Sequence, residues 1–410
     1  MSGEEGAEMK ITVVAGARPN FMKIAPIIEA IERRQKSPSF AKAMEGKEDR
    51  RQEKENKNIQ YRLVHTGQHY DTNMSESFFR ELNIPDPDVN LNCGGGSQAE
   101  QTAAIMVAFE KELIANPADL VMVVGDVTST MACSIVAKKL NTKVAHIEAG
   151  IRSFDMTMPE EINRMVTDCL TDYFFTTSDT ANQNLRKTGV PEEKIFFVGN
   201  VMIDTLLSNR HKFLKPAIWD ELKLTEKNYI VLTLHRPANV DNPTHLRALL
   251  QAIVESSRGL PVIFPVHPRT ARIIKSISHS VPGFRSAEYR RFAPQSLSLL
   301  VTQSLSLIQP LGYLEFNYLV ECAKVVITDS GGITEETTVL GVPCITIRDS
   351  TERPETVNIG TNELIGTDCG AIKSVMDILF AGKWKKGGVP ELWDGMAAQR
   401  IVNELLLLSA

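Results

Sequence analysis

The chain has 410 residues, 43% of them hydrophobic and 23% charged, with a formal net charge of −5. That length exceeds one ordinary core and predicts two domains, while the acidic balance argues against a general nucleic-acid binder. Six cysteines with no C-x-x-C pair and no zinc-type Cys/His spacing predict a reducing compartment rather than a disulfide or metal scaffold.

The first residues, MSGEEGAEMK, are acidic where a signal peptide would be basic, and no apolar run reaches the ~20 residues that span a bilayer. A cytoplasmic protein is expected. KITVVAG (10–16) then reads as a buried strand and KIAPIIEAIERR (23–34) as the helix after it. Residues 33–57 interrupt the pattern with nine basic and five acidic side chains. Mixed runs of this kind usually form a solvated surface extension, with a partner contact as the alternative.

The strand signal resumes in YRLVHTG, LVMVVGD (120–126), KVAHIEAG and DYFFTTS, with helices such as QTAAIMVAFEKELI between them. Continuous Val/Ile runs mean strands buried on both faces, hence a parallel sheet covered by helices. After KIFFVGNVMIDTLL a polar, Lys-rich stretch marks a boundary near 200–225, and the pattern restarts in NYIVLTLH (228–235), PVIFPVH (261–267), VVITDSGG and PCITI. The fold class is therefore α/β, with a parallel sheet covered by helices in each of two halves. We divide it into residues 1–205, residues 206–390, and a C-terminal helix within 391–410 that is free to pack on either half.

Six strands end in a polar residue and a turn: at Gly16-Ala17-Arg18, His65-Thr66-Gly67, Gly125-Asp126, His146-Ile147-Glu148, Thr233-Leu234-His235 and Asp329-Ser330-Gly331-Gly332. Ligands of open α/β sheets bind beyond the carboxyl ends of the strands, so such residues converge although distant in sequence. Each alone could be a helix cap. At Ser330-Gly331-Gly332 a helix start without Cβ atoms offers bare N–H groups to an anion, and a phosphate or diphosphate fits. Glu335 or Glu336, one turn on, is placed to accept hydrogen bonds from a ribose. No G-x-x-x-x-G-K-[ST] occurs, and GARPNF lacks the later glycines of a dinucleotide fingerprint. Arg18, Lys23, Arg348 and Arg353 supply cations suited to phosphate, or to surface ion pairs. Asp126, Glu148 and Glu160 suit proton transfer, with Arg152 and Arg164 near enough in sequence to hold them in structural pairs instead.

Taken together, GARPNFMKIAPII, HTGQHYD, GDVTST, HIEAGIRS, MPEEINR, VGNVMIDTL, HRPANVD, PVHPRT, TDSGGITEE and STERPETVNIGTN resemble the non-hydrolysing UDP-N-acetylglucosamine 2-epimerases, in order and over nearly the whole chain. The resemblance implies two Rossmann-like halves in a GT-B arrangement with substrate in the interdomain cleft, a homodimer, and no cofactor or metal. It implies interconversion of UDP-GlcNAc and UDP-ManNAc by elimination of UDP to 2-acetamidoglucal and re-addition. By position, Asp126, Glu148, Glu160 and His235 match the family's catalytic set. Arg18, Lys23, Ser330, Gly331, Gly332, Glu336 and Arg353 match nucleotide contacts, Phe316 a position near the uracil, and His267 a cleft contact. A modified UDP-sugar, a GT-B glycosyltransferase and a nucleotide-sugar sensor without turnover are the alternatives.

Three positions depart from the bacterial pattern: Val127 stands where many relatives carry Thr, Pro237 replaces the second Arg of HRRE, and Asp71 stands where Gln is frequent. Activation by substrate in the bacterial manner is therefore not expected.

Overall fold

The computed structural model describes residues 8–36, 58–68, 84–266, 270–271, 273–274 and 304–408, with the backbone alone at Arg18. His267 and positions 37–57 of the charged run lie outside the described residues. The chain separates into two compact units, 1–208 with 391–410, and 209–390.

In the first unit β1 (Glu8–Ala15), α1 (Arg18–Lys36), β2 (Asn58–His65), β3 (Val89–Asn90), α2 (Gln98–Ala115), β4 (Leu120–Val124), α3 (Thr128–Lys139), β5 (Lys143–Ile147), α4 (Pro159–Leu170), β6 (Tyr173–Thr176), α5 (Asp179–Lys187), β7 (Ile195–Phe197) and α6 (Val201–Asn209) follow one another. The described strands form one sheet in the order β3-β2-β1-β4-β5-β6-β7, and its paired strands run parallel. All five residues of β4 are buried, which is why that run reads as continuously apolar rather than alternating.

The second unit repeats the plan. It contains α7 (Ala217–Glu221), β8 (Ile230–Thr233), α8 (Pro237–Val240), α9 (Pro243–Ser256), β9 (Val262–Pro265), β10 (Leu305–Ile308), α10 (Tyr313–Cys322), β11 (Val325–Thr328), α11 (Gly331–Leu340), β12 (Cys344–Thr346), α12 (Pro354–Asn358), β13 (Asn362–Leu364) and α13 (Cys369–Phe380). Its sheet order is β10-β9-β8-β11-β12-β13, again parallel. Successive residues feed opposite faces: Ile230 and Leu232 join Leu246 and Ile253 in one core, while Tyr229 and Val231 join Leu319 and Val320 in the other. The last helix, α14 (Ala397–Leu408), belongs to the first unit.

Both sheets reverse direction beside their first strand, between β1 and β4 in one and between β8 and β11 in the other. Chain leaving the carboxyl ends of neighbouring strands diverges to opposite faces at such a point and leaves a crevice where ligands bind. All six polar strand ends lie on these strands or their immediate neighbours β2 and β5.

Candidate active site

In the first unit Asn20 closes the turn between β1 and α1. Its Oδ1 accepts from the N–H of Gly16 (3.2 Å) and Ala17 (2.9 Å), and its amide donates to the carbonyl of Val124 (2.9 Å). The ends of β1 and β4 are thereby tied at the switch point. Lys23 lies three residues on, on the same helical face, and its ammonium pairs with Glu148. Both are withdrawn from water, with side chains 12% and 2% exposed. Glu148 holds the left-handed backbone at φ 71°, an uncommon state for a residue with a Cβ and one that gathers at functional sites. Its N–H donates to Phe175 (3.0 Å), fixing the carboxylate at the end of β5. Gly125 turns with φ 67°, and a Cβ there would come within 3.1 Å of Lys23 Nζ. The left-handed turn is what favours glycine here, and its missing Cβ leaves room for the ammonium.

Asp126 follows Gly125 and is one-third exposed. Arg164 of α4 grips its Oδ2 through Nε (3.1 Å) and Nη2 (2.5 Å), and the Asn163 amide donates to its carbonyl (2.8 Å). Arg164 also reaches the buried Glu161 (2.8 Å), which accepts from the N–H (2.8 Å) and hydroxyl (3.0 Å) of Ser153. Glu160 stands in the first turn of α4 with its side chain exposed. One helix thus orients Asp126 and carries Glu160. Beneath them His146 is fully buried, its Nε2 donating to the Gly125 carbonyl (2.9 Å) and its Nδ1 2.7 Å from Asp168. Burial alone would push the Asp168 carboxyl up, but its contacts with His146 and Arg152 outweigh burial and hold it below the usual range.

In the second unit the Thr233 and Thr328 hydroxyls meet at 2.7 Å across β8 and β11. Asp329, with no exposed surface, accepts from the N–H of Arg236 (3.0 Å) and from the Asn239 amide (3.0 Å), and lies 2.8 Å from His235 Nδ1. His235 itself is half-exposed. The helix α11 then begins at Gly331 after Ser330, whose side chain makes no cap hydrogen bond. Its early N–H groups and the positive end of its dipole are available to an anion. A Cβ on Gly331 would sit 4.0 Å from Arg348 Nη1, so a guanidinium flanks the helix start. Arg348 is buried and paired with Glu352 through two 2.7 Å contacts. Although burial opposes ionisation, that pairing carries the Glu352 carboxyl down to about 2.

The two acids after the glycines part company. Glu335 pairs with Arg353, both nearly buried. Glu336 is 4% exposed, and burial pushes its carboxyl up to about 7 against hydrogen bonds from Tyr313 and Asn317. Phe316 is partly buried and packs on the Tyr229–Leu319 core cluster. Arg18 opens α1, and among the described residues no trio of His, Cys, Asp or Glu is placed to hold a metal ion. No described helix is long and apolar enough to cross a membrane. Asn20, Glu161 and Glu352 escape sequence reasoning because each acts through partners that only folding reveals.

A family model described as UDP-N-acetylglucosamine 2-epimerase matches residues 51–406. The UDP-N-acetylglucosamine 2-epimerase of Methanocaldococcus jannaschii is 37% identical, over 97% of this chain and 99% of its own length. The UDP-2,3-diacetamido-2,3-dideoxy-D-glucuronate 2-epimerase of Pseudomonas aeruginosa is 35% identical, over 87% of this chain and 88% of its own. A crystal structure of the M. jannaschii enzyme in complex with UDP-GlcNAc and UDP is similar with a TM-score of 0.78 at 36% identity, covering 97% of this chain and all of that one. With two Rossmann-like units and a match along almost its whole length, this chain belongs to the UDP-N-acetylglucosamine 2-epimerase family of enzymes.

Proposed function

We propose that the chain interconverts UDP-GlcNAc and UDP-ManNAc at carbon 2 by elimination and re-addition. The hydrogen on carbon 2 has no adjacent carbonyl and is only weakly acidic. Its loss becomes accessible when the anomeric C–O bond to UDP breaks in the same event and C1=C2 forms. Protonation of the glycal from the opposite face, with return of the diphosphate to carbon 1, completes the exchange. In this reading the carboxylates of Asp126, Glu148 and Glu160 move the carbon-2 proton, and His235 assists departure and return of the diphosphate. The helix start at Ser330-Gly331-Gly332, with Arg348 beside it, takes the diphosphate's charge. The observation that carries the reading is Glu148, a buried carboxylate held by Lys23 at a strained strand end next to Asp126, in a chain matching an epimerase over 97% of its length.

Incubation with UDP-GlcNAc in deuterated buffer, followed by proton NMR, tests it. The expected result is loss of the carbon-2 proton signal and growth of UDP-ManNAc; unlabelled starting material with no second sugar would overturn it. The 35% identical P. aeruginosa relative supports a second reading, a UDP-diacetamido uronic acid as substrate, and the same assay on that sugar distinguishes the two by relative kcat/KM. The family reading also makes the protein a cytoplasmic homodimer without a cofactor. Sedimentation at the mass of a single chain would remove the dimer.

Glu336 gives this reading a pH dependence. As ribose acceptor it must be ionised, and its carboxyl titrates at about 7. Below that value it carries a proton and loses acceptor strength. UDP affinity, measured by calorimetry, is expected to rise several-fold from pH 6 to pH 8, and to be flat in Glu336→Gln over the same interval.

A further inference from the structure

We propose that Asp329 is a positioning residue that fixes the tautomer of His235, so that Nε2 is the ring atom that gives and takes the proton. The proposal rests on His235 acting at the diphosphate, and it adds the residue that makes one face of the imidazole reactive.

The geometry separates two duties of one carboxylate. Oδ2 accepts from the N–H of Arg236 (3.0 Å) and from the Asn239 amide (3.0 Å), which tie the turn after β8 to the end of β11. Oδ1 is the oxygen that faces His235 Nδ1 at 2.8 Å. The backbone N–H of His235 sits 3.1 Å from both. A carboxylate can only accept, so Nδ1 carries hydrogen whenever Asp329 is ionised. The surroundings favour ionisation: burial opposes it, but the His235 ring, the Asn239 amide and the Arg236 N–H hold the carboxyl below its usual range. With Nδ1–H committed to Asp329, the neutral ring bears its lone pair on Nε2, on a side chain that is half-exposed. Uptake of a solvent proton at the half-exposed Nε2 gives an imidazolium that Asp329 stabilises, and that proton passes to the departing phosphate oxygen. Return of the diphosphate reverses the transfer with Nδ1 unchanged. Asp329 also immediately precedes Ser330 and Gly331, so one residue joins the histidine-bearing turn to the helix start.

Asp329→Asn separates the duties. Its carbonyl oxygen keeps the bonds made by Oδ2, whereas its NH2 donates to Nδ1 and drives the ring proton to Nε2. Imidazole 15N NMR of histidine-labelled protein, with His235 assigned through His235→Gln, reads this directly. Wild type is expected to show a protonated Nδ1 and a bare Nε2 in the neutral ring, and Asp329→Asn the reverse. An Nε2–H tautomer in wild type overturns the proposal, and that measurement needs no folded variant at 329. In kinetics, Asp329→Asn should lower kcat by about 10²-fold, the lower end for loss of a positioned acid–base group, with KM for UDP-GlcNAc changed less than about threefold. In a His235→Asn background the same substitution should cost less than about threefold, because the pair acts as a unit. A full loss in that background would make Asp329 structural and overturn the proposal. Absence of epimerase activity in wild type would instead count against the functional reading, while the tautomer measurement stands on its own.

Discussion

Asp126→Asn and Glu148→Gln are each expected to lower kcat for epimerisation by about 10³-fold, within the 10²–10⁴ range for removal of a positioned acid or base. Both substitutions keep shape and remove a proton acceptor. They differ in side effects. Asp126 is one-third exposed and its Arg164 partner also holds Glu161, so Asp126→Asn should melt within a few degrees of wild type and bind UDP normally. Glu148 is 2% exposed and pairs with the nearly buried Lys23. Its replacement removes the carboxylate that this ammonium pairs with, which typically costs about 3–5 kcal/mol. Activity per folded molecule, not activity per milligram, is therefore the quantity to compare. Carbon-2 deuterium exchange, followed separately from UDP-GlcNAc and from UDP-ManNAc, assigns each acid to one face of the sugar. A variant that loses exchange from one epimer while still releasing glycal from the other identifies the base for the first. Losses below about tenfold in both variants would remove these two carboxylates from the chemistry.

The α/β class was legible because β4 is an unbroken apolar run and β11 is one up to its last residue, Thr328, both buried from end to end. Strands without that signal were not. β3 is two residues long, β13 is Asn-Glu-Leu, and β10 is the short Leu-Ser-Leu-Ile; their pairing is decided by neighbours already in the sheet rather than by their own composition. Candidate site residues could be named from strand ends because the switch-point rule locates ligands there without knowledge of side-chain partners. Partners themselves were hidden by sequence distance. Asn20 reaches Val124 across 104 positions and Asp329 reaches the His235 turn across 94. Turn chemistry alone offered Glu335 and Glu336 as equals, the resemblance singled out Glu336, and packing shows how they differ: Arg353 neutralises the first, and Tyr313 and Asn317 surround the second. Phe316, whose place near the uracil was an expectation from the resemblance, is a partly buried aromatic packed on the Tyr229–Leu319 cluster.

A large stability loss is expected from Trp393→Ala. Trp393 is 1% exposed, and its indole N–H donates to the Thr177 carbonyl at 2.9 Å. It anchors the segment by which the C-terminus belongs to the first unit. Around it the chain is closely fitted: a Cβ on Gly199, which turns with φ 92°, would stand 2.1 Å from the Leu392 carbonyl oxygen. Asp204 then receives the N–H groups of Ala397 (3.1 Å) and Ala398 (2.6 Å), capping α14 from a neighbouring helix. Ile401, Val402, Leu405 and Leu406 form the buried stripe of α14. Removing the indole empties a large cavity and orphans a buried carbonyl, for a cost of about 3–5 kcal/mol. In a unit of this size that lowers Tm by roughly 6–20 °C. The loss should fall on the first unit's transition in calorimetry and spare the second's, since Trp393 and Thr177 both lie in the first. Asp204 adds a pH signature. Burial raises its carboxyl to about 6 despite the two N–H donors. A raised folded-state value means that its stabilising contribution is complete below the unfolded value near 3.8 and is lost as pH rises through 6. The stability advantage of wild type over Asp204→Asn should therefore shrink between pH 4 and pH 7. An advantage that grew with pH, or a Trp393→Ala protein melting within about 2 °C of wild type, would mean that residues 391–408 do not hold the first unit together.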